Sequence, residues 1–162
     1  MSSMDITQKS PNWDLYYLFE EISYKGKDNE ITKLLDKFEL KDFLSMPIVL
    51  DLVSYKRIRL LRLLHKKGIP LTYEEDCGGN ALHVACGASG DLACVKFFVE
   101  NDILTDINQK SAKHGDTPLN LAISYNHKDI LDYFKQKFGI KGISFEDLDV
   151  VLDRIKSNLR RV

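Results

Sequence analysis

Apolar residues recur along this chain at the three- and four-residue spacing of amphipathic helices, and the helical stretches come in pairs. The first helix, predicted over residues 14–24, has an apolar face made of Leu15, Leu18, Phe19 and Ile22. A second helix is predicted to begin at Asp28, whose carboxylate suits the N-terminus of a helix. Because the helical period continues through the rest of the chain, the sequence predicts an all-α fold.

Two stretches in the second half of the chain are copies of each other. Residues 115–122 read Gly-Asp-Thr-Pro-Leu-Asn-Leu-Ala, and residues 78–85 read Gly-Gly-Asn-Ala-Leu-His-Val-Ala. Each copy is followed by a second apolar helix, and the equivalent residues Leu82 and Leu119 lie 37 positions apart. A block that recurs at this spacing is typical of an array of helical repeats.

The block resembles the ankyrin repeat, in which a tight turn and Thr-Pro-Leu-His-x-Ala begin a short helix and Gly-His precedes a longer one. The resemblance covers roughly residues 15–139 and is weakest in the second unit, where Met46-Pro47 stands in place of Thr-Pro. It implies an ankyrin-like solenoid of about four helix–turn–helix units with an added C-terminal capping helix. The predicted organisation is a flexible tail at 1–12, then one domain at 13–162 with units at about 14–40, 41–72, 73–108 and 109–139 and the capping helix at 144–161.

The resemblance also implies structural roles for several residues of the motif. His83 occupies the position of the motif's histidine, where a hydrogen bond to an adjacent hairpin is expected. The Thr117 hydroxyl would bond the backbone or a neighbouring histidine, and Pro118 would begin a helix. The turn positions of the last repeat are Gly115, Asn126 and His127.

Composition and charge exclude several classes of function. The chain has 162 residues, a formal net charge of −1 and 44% apolar residues, so no global field attracts it to nucleic acid or to a membrane. No apolar run approaches the length of a membrane span, and residues 1–12 lack the apolar core of a secretory signal. We therefore expect a cytoplasmic protein that is monomeric when free.

The chemistry-bearing residues are scattered. The three cysteines lack the spacing of a zinc site, and we expect Cys86 and Cys94 to be small buried apolar residues, with Cys77 in a turn. No nucleophile–base motif, P-loop or two-histidine metal motif is present. The basic run from Lys56 to Lys67 alternates with leucines and fits the solvated face of a helix, with an acidic partner or phosphate as the alternative. The sequence therefore predicts neither an enzyme nor a site for a metal or cofactor.

A serine–tyrosine pair ends three of the predicted first helices of the repeats, at Ser23-Tyr24, Ser54-Tyr55 and Ser124-Tyr125, whereas the third repeat has Ser89-Gly90 there. In an ankyrin-like array this position faces the concave groove. Tyrosine suits a protein interface because it offers apolar area and a hydroxyl at low entropic cost. The tyrosines would form a contact strip for a partner or, equally, fill the junctions between repeats.

The predicted loop tips are a second candidate contact region. One tip is acidic with one aromatic residue and contains Tyr73, Glu74, Glu75 and Asp76. The next tip is basic and contains Lys110, Lys113 and His114. The two tips could orient a bipolar partner protein, or they could attract each other.

These features predict stoichiometric binding of another protein rather than catalysis. The most concrete hypothesis is an inhibitor that occludes its target, because a small stand-alone ankyrin-like protein resembles some immunity proteins that neutralise toxins in this way. An adaptor or secreted effector that docks onto a larger complex is the alternative, and an enzyme is a third.

Overall fold

The computed structural model describes residues 13–25, 28–37 and 47–139. The predicted tail and the predicted capping helix lie outside these described residues. Within them the chain forms α1 (Trp13–Tyr24), α2 (Asp28–Leu35), α3 (Ile48–Ser54), α4 (Ile58–Lys66), α5 (Ala81–Cys86), α6 (Leu92–Glu100), α7 (Pro118–Ser124) and α8 (Lys128–Phe138). The described part contains no strand, only an isolated bridge between Glu74 and Asn80, so the all-α prediction is confirmed.

The helices are arranged in two rows. Each odd-numbered helix packs on the even-numbered helix that follows it, and α1, α3, α5 and α7 pack on one another in chain order. We call these odd-numbered helices the first row. The even-numbered helices form the second row, in which α4 packs on α6 and α6 on α8. Because the described helix pairs pack chiefly on the pairs next to them in sequence, this part of the molecule is a solenoid of helix pairs.

The apolar core lies between the two rows. Its largest fully buried side chains include Phe19 of α1, Leu61 of α4, Phe98 of α6 and Phe134 of α8. Burying a side chain of this size stabilises a fold by roughly 1.5–3 kcal/mol. The predicted burial of Cys86 and Cys94 is confirmed, and burial raises the pKa of both thiols.

The predicted apolar face of α1 is correct in part. Leu15 and Phe19 are buried, but Leu18 is 42% exposed, and nothing is described for the side chain of Ile22. Leu15 and Phe19 lie one above the other on the helix, whereas Leu18 is turned away from Phe19. As the first helix of the row, α1 has a first-row neighbour, α3, on only one side. Within the described residues, no first-row helix therefore covers the other side of α1.

Side chains cap the helices at the places that the motif predicts. The Asn80 side chain accepts hydrogen bonds from the backbone N–H groups of Leu82 and His83. At the equivalent position the Thr117 hydroxyl accepts from the backbone N–H of Asn120 at 3.0 Å, and Pro118 follows as the first residue of α7. Such a cap stabilises a helix by about 1 kcal/mol.

A left-handed residue stands between the two helices of each described turn. These residues are Lys56, Gly90 and Asn126, with φ of 55°, 56° and 56°. The left-handed residue follows the first residue of its helix by eight positions for Lys56 and Asn126 but by nine for Gly90, so one residue is added between the start of α5 and the left-handed position of the third turn. Ser89 is thereby moved out of the position that Tyr55 and Tyr125 occupy.

A hydrogen bond to a main-chain carbonyl crosses each described junction between repeats. The Arg57 guanidinium donates to the Tyr24 carbonyl at 3.4 Å, the Ser89 hydroxyl to the Val53 carbonyl at 2.8 Å, and His127 Nε2–H to the Gly87 carbonyl at 2.8 Å. The last carbonyls of a helix lack partners within that helix. Each repeat therefore supplies a donor to the C-terminal end of the preceding first-row helix.

Candidate functional site

The loops that precede α5 and α7 dock against each other. Gly78 has φ of +75°, and a Cβ on it would lie 2.6 Å from the backbone nitrogen of Ala112 in the following loop. The backbone N–H of Lys113 donates to the Cys77 carbonyl at 3.1 Å. Glycine at position 78 therefore permits the close approach of the two loops.

The charged side chains of the two loops remain at the surface. Tyr73 is half-buried, and the exposed residues are Glu74, Glu75, Asp76, Lys110, Lys113 and His114. Within the described part of the chain, side-chain bonds between the loops pass through Gln109: its amide N–H donates to Glu74 Oε1 at 2.9 Å, and its Oε1 accepts from the Asn80 amide at 3.0 Å. No ion pair joins the acidic tip to the basic tip among these described residues. The described bonds between the two loops are therefore amide and backbone bonds and not ion pairs between the tips.

His83 ties the third repeat to the fourth. Its Nε2 lies 3.0 Å from the Gln109 carbonyl, which can only accept, so Nε2 carries the proton. Its Nδ1 then accepts from the backbone N–H of Asn80 at 3.3 Å. His83 is only 5% exposed, and both ring nitrogens have partners in the protein. The bond to the adjacent hairpin that the motif implies is present, and His83 is structural.

The tyrosines of the predicted strip lie at the surface of the first row. Tyr24 is 70% exposed and Tyr125 is 53% exposed, while Tyr55 is half-buried. The Tyr24 and Tyr55 rings meet edge to face with centroids 5.7 Å apart, and the Tyr125 ring stacks on His127 at 5.9 Å. The first pair spans the junction between the first two repeats, so part of the predicted filling role is also observed.

Ser89 does not belong to this strip. It is only 9% exposed, and its hydroxyl donates to the Val53 carbonyl. The extra residue in the third turn places Ser89 inside the junction and leaves Ala88 exposed seven positions after the start of α5. The sequence-based assignment of Ser89 to a partner surface is therefore corrected.

On α3, α5 and α7, one residue lies a helical turn before Tyr55, Ala88 and Tyr125, respectively. Asp51, Val84 and Leu121 all stand three residues after the start of their helices, and each is partly exposed. We use the name first-row strip for these residues together with their neighbours one turn later, which are Glu20, Tyr24, Asp51, Tyr55, Val84, Ala88, Leu121 and Tyr125. The half of the strip on α1 and α3 combines carboxylates with tyrosines, and the half on α5 and α7 is apolar.

Asp51 is the half-buried carboxylate among the residues of the strip that sequence reasoning missed, which also include Glu20, Val84, Ala88 and Leu121. Burial raises the pKa of its carboxyl to about 6, with smaller contributions from Glu20 and Glu75, while the hydrogen bond from Tyr16 lowers it. Its Oδ2 is shielded from solvent and has no hydrogen-bond partner. The available signal was one acid inside the apolar run from Ile48 to Val53.

A cavity of about 190 Å³ opens where the two loops meet α5 and α7. We call it the loop cavity. Its apolar lining includes Val84, Leu121 and Tyr125, and its polar lining includes Glu75, His114 and Asp116. It therefore joins the apolar half of the first-row strip to the charged loop tips.

The second row presents a different surface. Arg59, Arg62, His65, Lys66 and Lys67 are exposed on α4 or at its end, as expected for a solvated helix face. A larger cavity of about 470 Å³ lies between α4 and α6 and is lined in part by Arg62, His65 and Lys96. The basic side chains are thus separated from the carboxylates of the first-row strip.

Within residues 13–25, 28–37 and 47–139, no group of three histidine, cysteine or carboxylate side chains could hold a metal ion. Across the same ranges, no helix combines the length and the apolar character that crossing a membrane requires.

Comparison with known sequences identifies the repeats. A family model described as ankyrin repeats, in three copies, matches residues 50–145. The chain belongs to the ankyrin-repeat family. It is also 68% identical over 105 residues to a protein of Rickettsia bellii (strain RML369-C) that is described as an ankyrin repeat protein, and the match covers 64% of this chain and 88% of that relative.

Membership of this family gives the helix pairs a general role. The three ankyrin copies extend from α3 through α8, the region that contains Tyr55, Tyr125, both docked loops and the loop cavity. Ankyrin repeats are protein–protein interaction modules and are generally not catalytic. Membership of the family therefore indicates that this ankyrin-repeat chain binds another protein.

Proposed function

We propose that this protein is a stoichiometric inhibitor that binds one partner protein through the first-row strip and the loop tips and acts by occluding the partner's surface. The observation that carries the proposal is the row of tyrosines on the first-row helices, with Tyr24 and Tyr125 more than half exposed. Solvent-exposed aromatic rings beside an open cavity favour contact with another protein surface.

Two further features support this surface. The loops on its edge are fixed by the Lys113–Cys77 backbone bond and by the Gln109–Glu74 bond, so a partner would order little of the chain on binding. Loop tips of opposite sign, Glu74 to Asp76 on one and Lys110 to His114 on the other, would fix the orientation of a partner with complementary charges.

The test is capture of a partner from a native extract with the wild-type protein and with a Tyr24→Ala/Tyr125→Ala variant. Loss of one interface tyrosine weakens binding by about 10-fold or more when the ring is a hot spot, so the double variant should bind at least ~30-fold more weakly. The matched control is Phe138→Ala, which removes an aromatic ring that is 38% exposed on the second-row helix α8.

The result expected is one stoichiometric partner that is retained by Phe138→Ala and lost by the double variant. A partner retained by both variants would place the interface elsewhere. The activity of the purified partner then separates the finer alternatives: an activity abolished at one equivalent supports the inhibitor, whereas an unchanged activity supports an adaptor or effector.

A further inference from the structure

We propose that the loop cavity receives an arginine side chain of the partner protein, with its guanidinium held by Ser111 and the carboxylates at the cavity. This inference rests on the proposed function, since it specifies the chemistry of a partner that binds the same face. It is carried by three observations: the shape of the cavity, an unpartnered buried hydroxyl, and the charges that line it.

The shape favours one long side chain. A volume of about 190 Å³ is too small for a folded element. Its apolar lining, from Val84, Leu121 and Tyr125, suits the methylene stem of an arginine. Tyr125 is 53% exposed and can receive a guanidinium on its ring, because cations are attracted to the face of an aromatic ring.

Ser111 supplies the second observation. It lines the loop cavity and is only 6% exposed, and its Oγ has no hydrogen-bond partner. Its backbone N–H donates to the Asp116 carbonyl at 2.8 Å, which fixes Ser111 close to Asp116. A buried polar group without a partner costs about 1–3 kcal/mol, so a ligand that donates a hydrogen bond to it gains affinity. The Oγ is enclosed in the free protein, so its bond to a guanidinium requires the Ser111 side chain to reorient about χ1 on binding.

The charges supply the third observation. Glu75 and Asp116 both line the loop cavity and are exposed, so each carboxylate is accessible. The Cys77 thiol donates to Glu75 Oε2 at 3.2 Å, and a thiol is a weak donor that leaves most of the carboxylate's acceptor capacity unused. His114 also lines the cavity, and Lys113 is exposed on the same loop, so the surface around the cavity has mixed charge. The attraction for a cation therefore comes from the two carboxylates that line the cavity.

Arginine fits these groups better than lysine does. A guanidinium carries five N–H donors in one plane, so it can bond a hydroxyl and a carboxylate together while it stacks on a ring. An ammonium is a compact, strongly hydrated point charge with no plane to stack. The combination of Tyr125, Ser111 and Asp116 therefore selects for a planar donor.

The test is an NMR titration of the ¹⁵N-labelled protein with N-acetyl-arginine amide and, separately, with N-acetyl-citrulline amide. Citrulline has nearly the same shape and no charge. We expect saturable shifts at the amides of Ser111, Asp116, Leu121 and Tyr125, with a dissociation constant on the order of millimolar for arginine and at least ~5-fold weaker for citrulline. Added salt should weaken the arginine response, since exposed carboxylates contribute to it.

Two variants refine the test. Asp116→Asn removes one charge at the cavity and should weaken arginine binding by about 3- to 10-fold, whereas Asp132→Asn removes the same charge from the exposed surface of α8 and should leave it unchanged. Equal responses to arginine and citrulline, no saturable response, or shifts that cluster on the second row would each overturn the inference. These wild-type comparisons decide the question even if a variant fails to fold.

The outcomes also separate this inference from the function on which it rests. If the tyrosine double variant loses its partner but arginine does not bind, the partner surface stands and the arginine site is wrong. If arginine binds at the loop cavity but the double variant keeps its partner, the cavity is a cation site outside the protein interface, and its assignment to the partner's arginine is wrong.

Discussion

The contact between Gly90 and His127 gives a sharp prediction about the junction of the last two described repeats. Gly90 has φ of +56°, and a Cβ built on it would lie 2.2 Å from Cε1 of His127. The same ring donates to the Gly87 carbonyl at 2.8 Å. A Gly90→Ala substitution must therefore both hold alanine in the left-handed region and displace the ring.

The magnitude follows from these two costs. Alanine in the left-handed conformation costs about 1–2 kcal/mol. Displacing the ring breaks a hydrogen bond and leaves a carbonyl with poorer solvation, for roughly another 1–2 kcal/mol. We expect Gly90→Ala to lower the free energy of unfolding by about 3 kcal/mol and His127→Ala by about 1.5 kcal/mol. Because the ring is already gone in the double variant, the double should lose only about 3 kcal/mol, which leaves a coupling of about 1.5 kcal/mol.

The assay is urea denaturation followed by circular dichroism for the wild type, both single variants and the double variant. Gly115→Ala is the matched control, because Gly115 has φ of +70° but nothing within 4 Å of a built Cβ. It should show only the backbone cost of about 1–2 kcal/mol. The reasoning is refuted if Gly90→Ala costs no more than Gly115→Ala, or if the two substitutions at the junction are additive.

Three further predictions concern stability and its dependence on pH. The raised pKa of Asp51, about 6, means that ionisation of its carboxyl destabilises the fold as pH rises from about 4 through 6. The free energy of unfolding of Asp51→Asn should therefore rise relative to that of the wild type by about 1–2 kcal/mol across that range, after solvent screening. Urea titrations of both proteins at pH 4 and 7.5 measure the difference in their free energies of unfolding, and a difference that does not change with pH contradicts this cause. His83→Ala should lower the free energy of unfolding by about 2–3 kcal/mol and increase hydrogen exchange at Gln109, and unchanged exchange would show that the bond does not hold the loop. Thr117→Ala should cost about 1 kcal/mol in thermal or urea unfolding, with Thr117→Ser retaining most of the stability, and equal losses would exclude the hydroxyl cap.

The second half of the molecule was the easier part to predict from the sequence. The two copies around Leu82 and Leu119 define a common phase, and the backbone bond expected of Thr117 is the observed cap of α7, while Asn80 caps α5 at the equivalent position. It also predicts that His83 bonds the next hairpin. These features depend on residues close together in sequence or on a motif whose geometry repeats, so a local pattern contains the required information.

The candidate site was harder to predict because its members depend on which helices become neighbours. Helical spacing assigns Leu18 to the apolar face, but α1 lacks a first-row neighbour on one side and Leu18 is exposed. One added residue in the third turn moves Ser89 from the surface into a junction. The raised pKa of Asp51 depends on its burial in the folded array and on Glu20 and Glu75 from other repeats, and the loop cavity requires two loops to dock. Periodicity along the chain contains none of these distances.

At the C-terminal ends of the first-row helices, the described side-chain bonds that cross the repeat junctions all run in one direction along the chain, whereas on the loop side His83 donates forward to the Gln109 carbonyl. Arg57, Ser89 and His127 each donate backward to a carbonyl of the preceding repeat. Shortening the array from its C-terminal side would strand an acceptor on the helix that remains, whereas shortening it from the N-terminal side would free a donor side chain that water can solvate at the surface. The first row therefore has a polarity: the C-terminal end of each described first-row helix that receives such a bond is completed by the next repeat, so the two ends of the row are not equivalent places at which to add or remove a repeat.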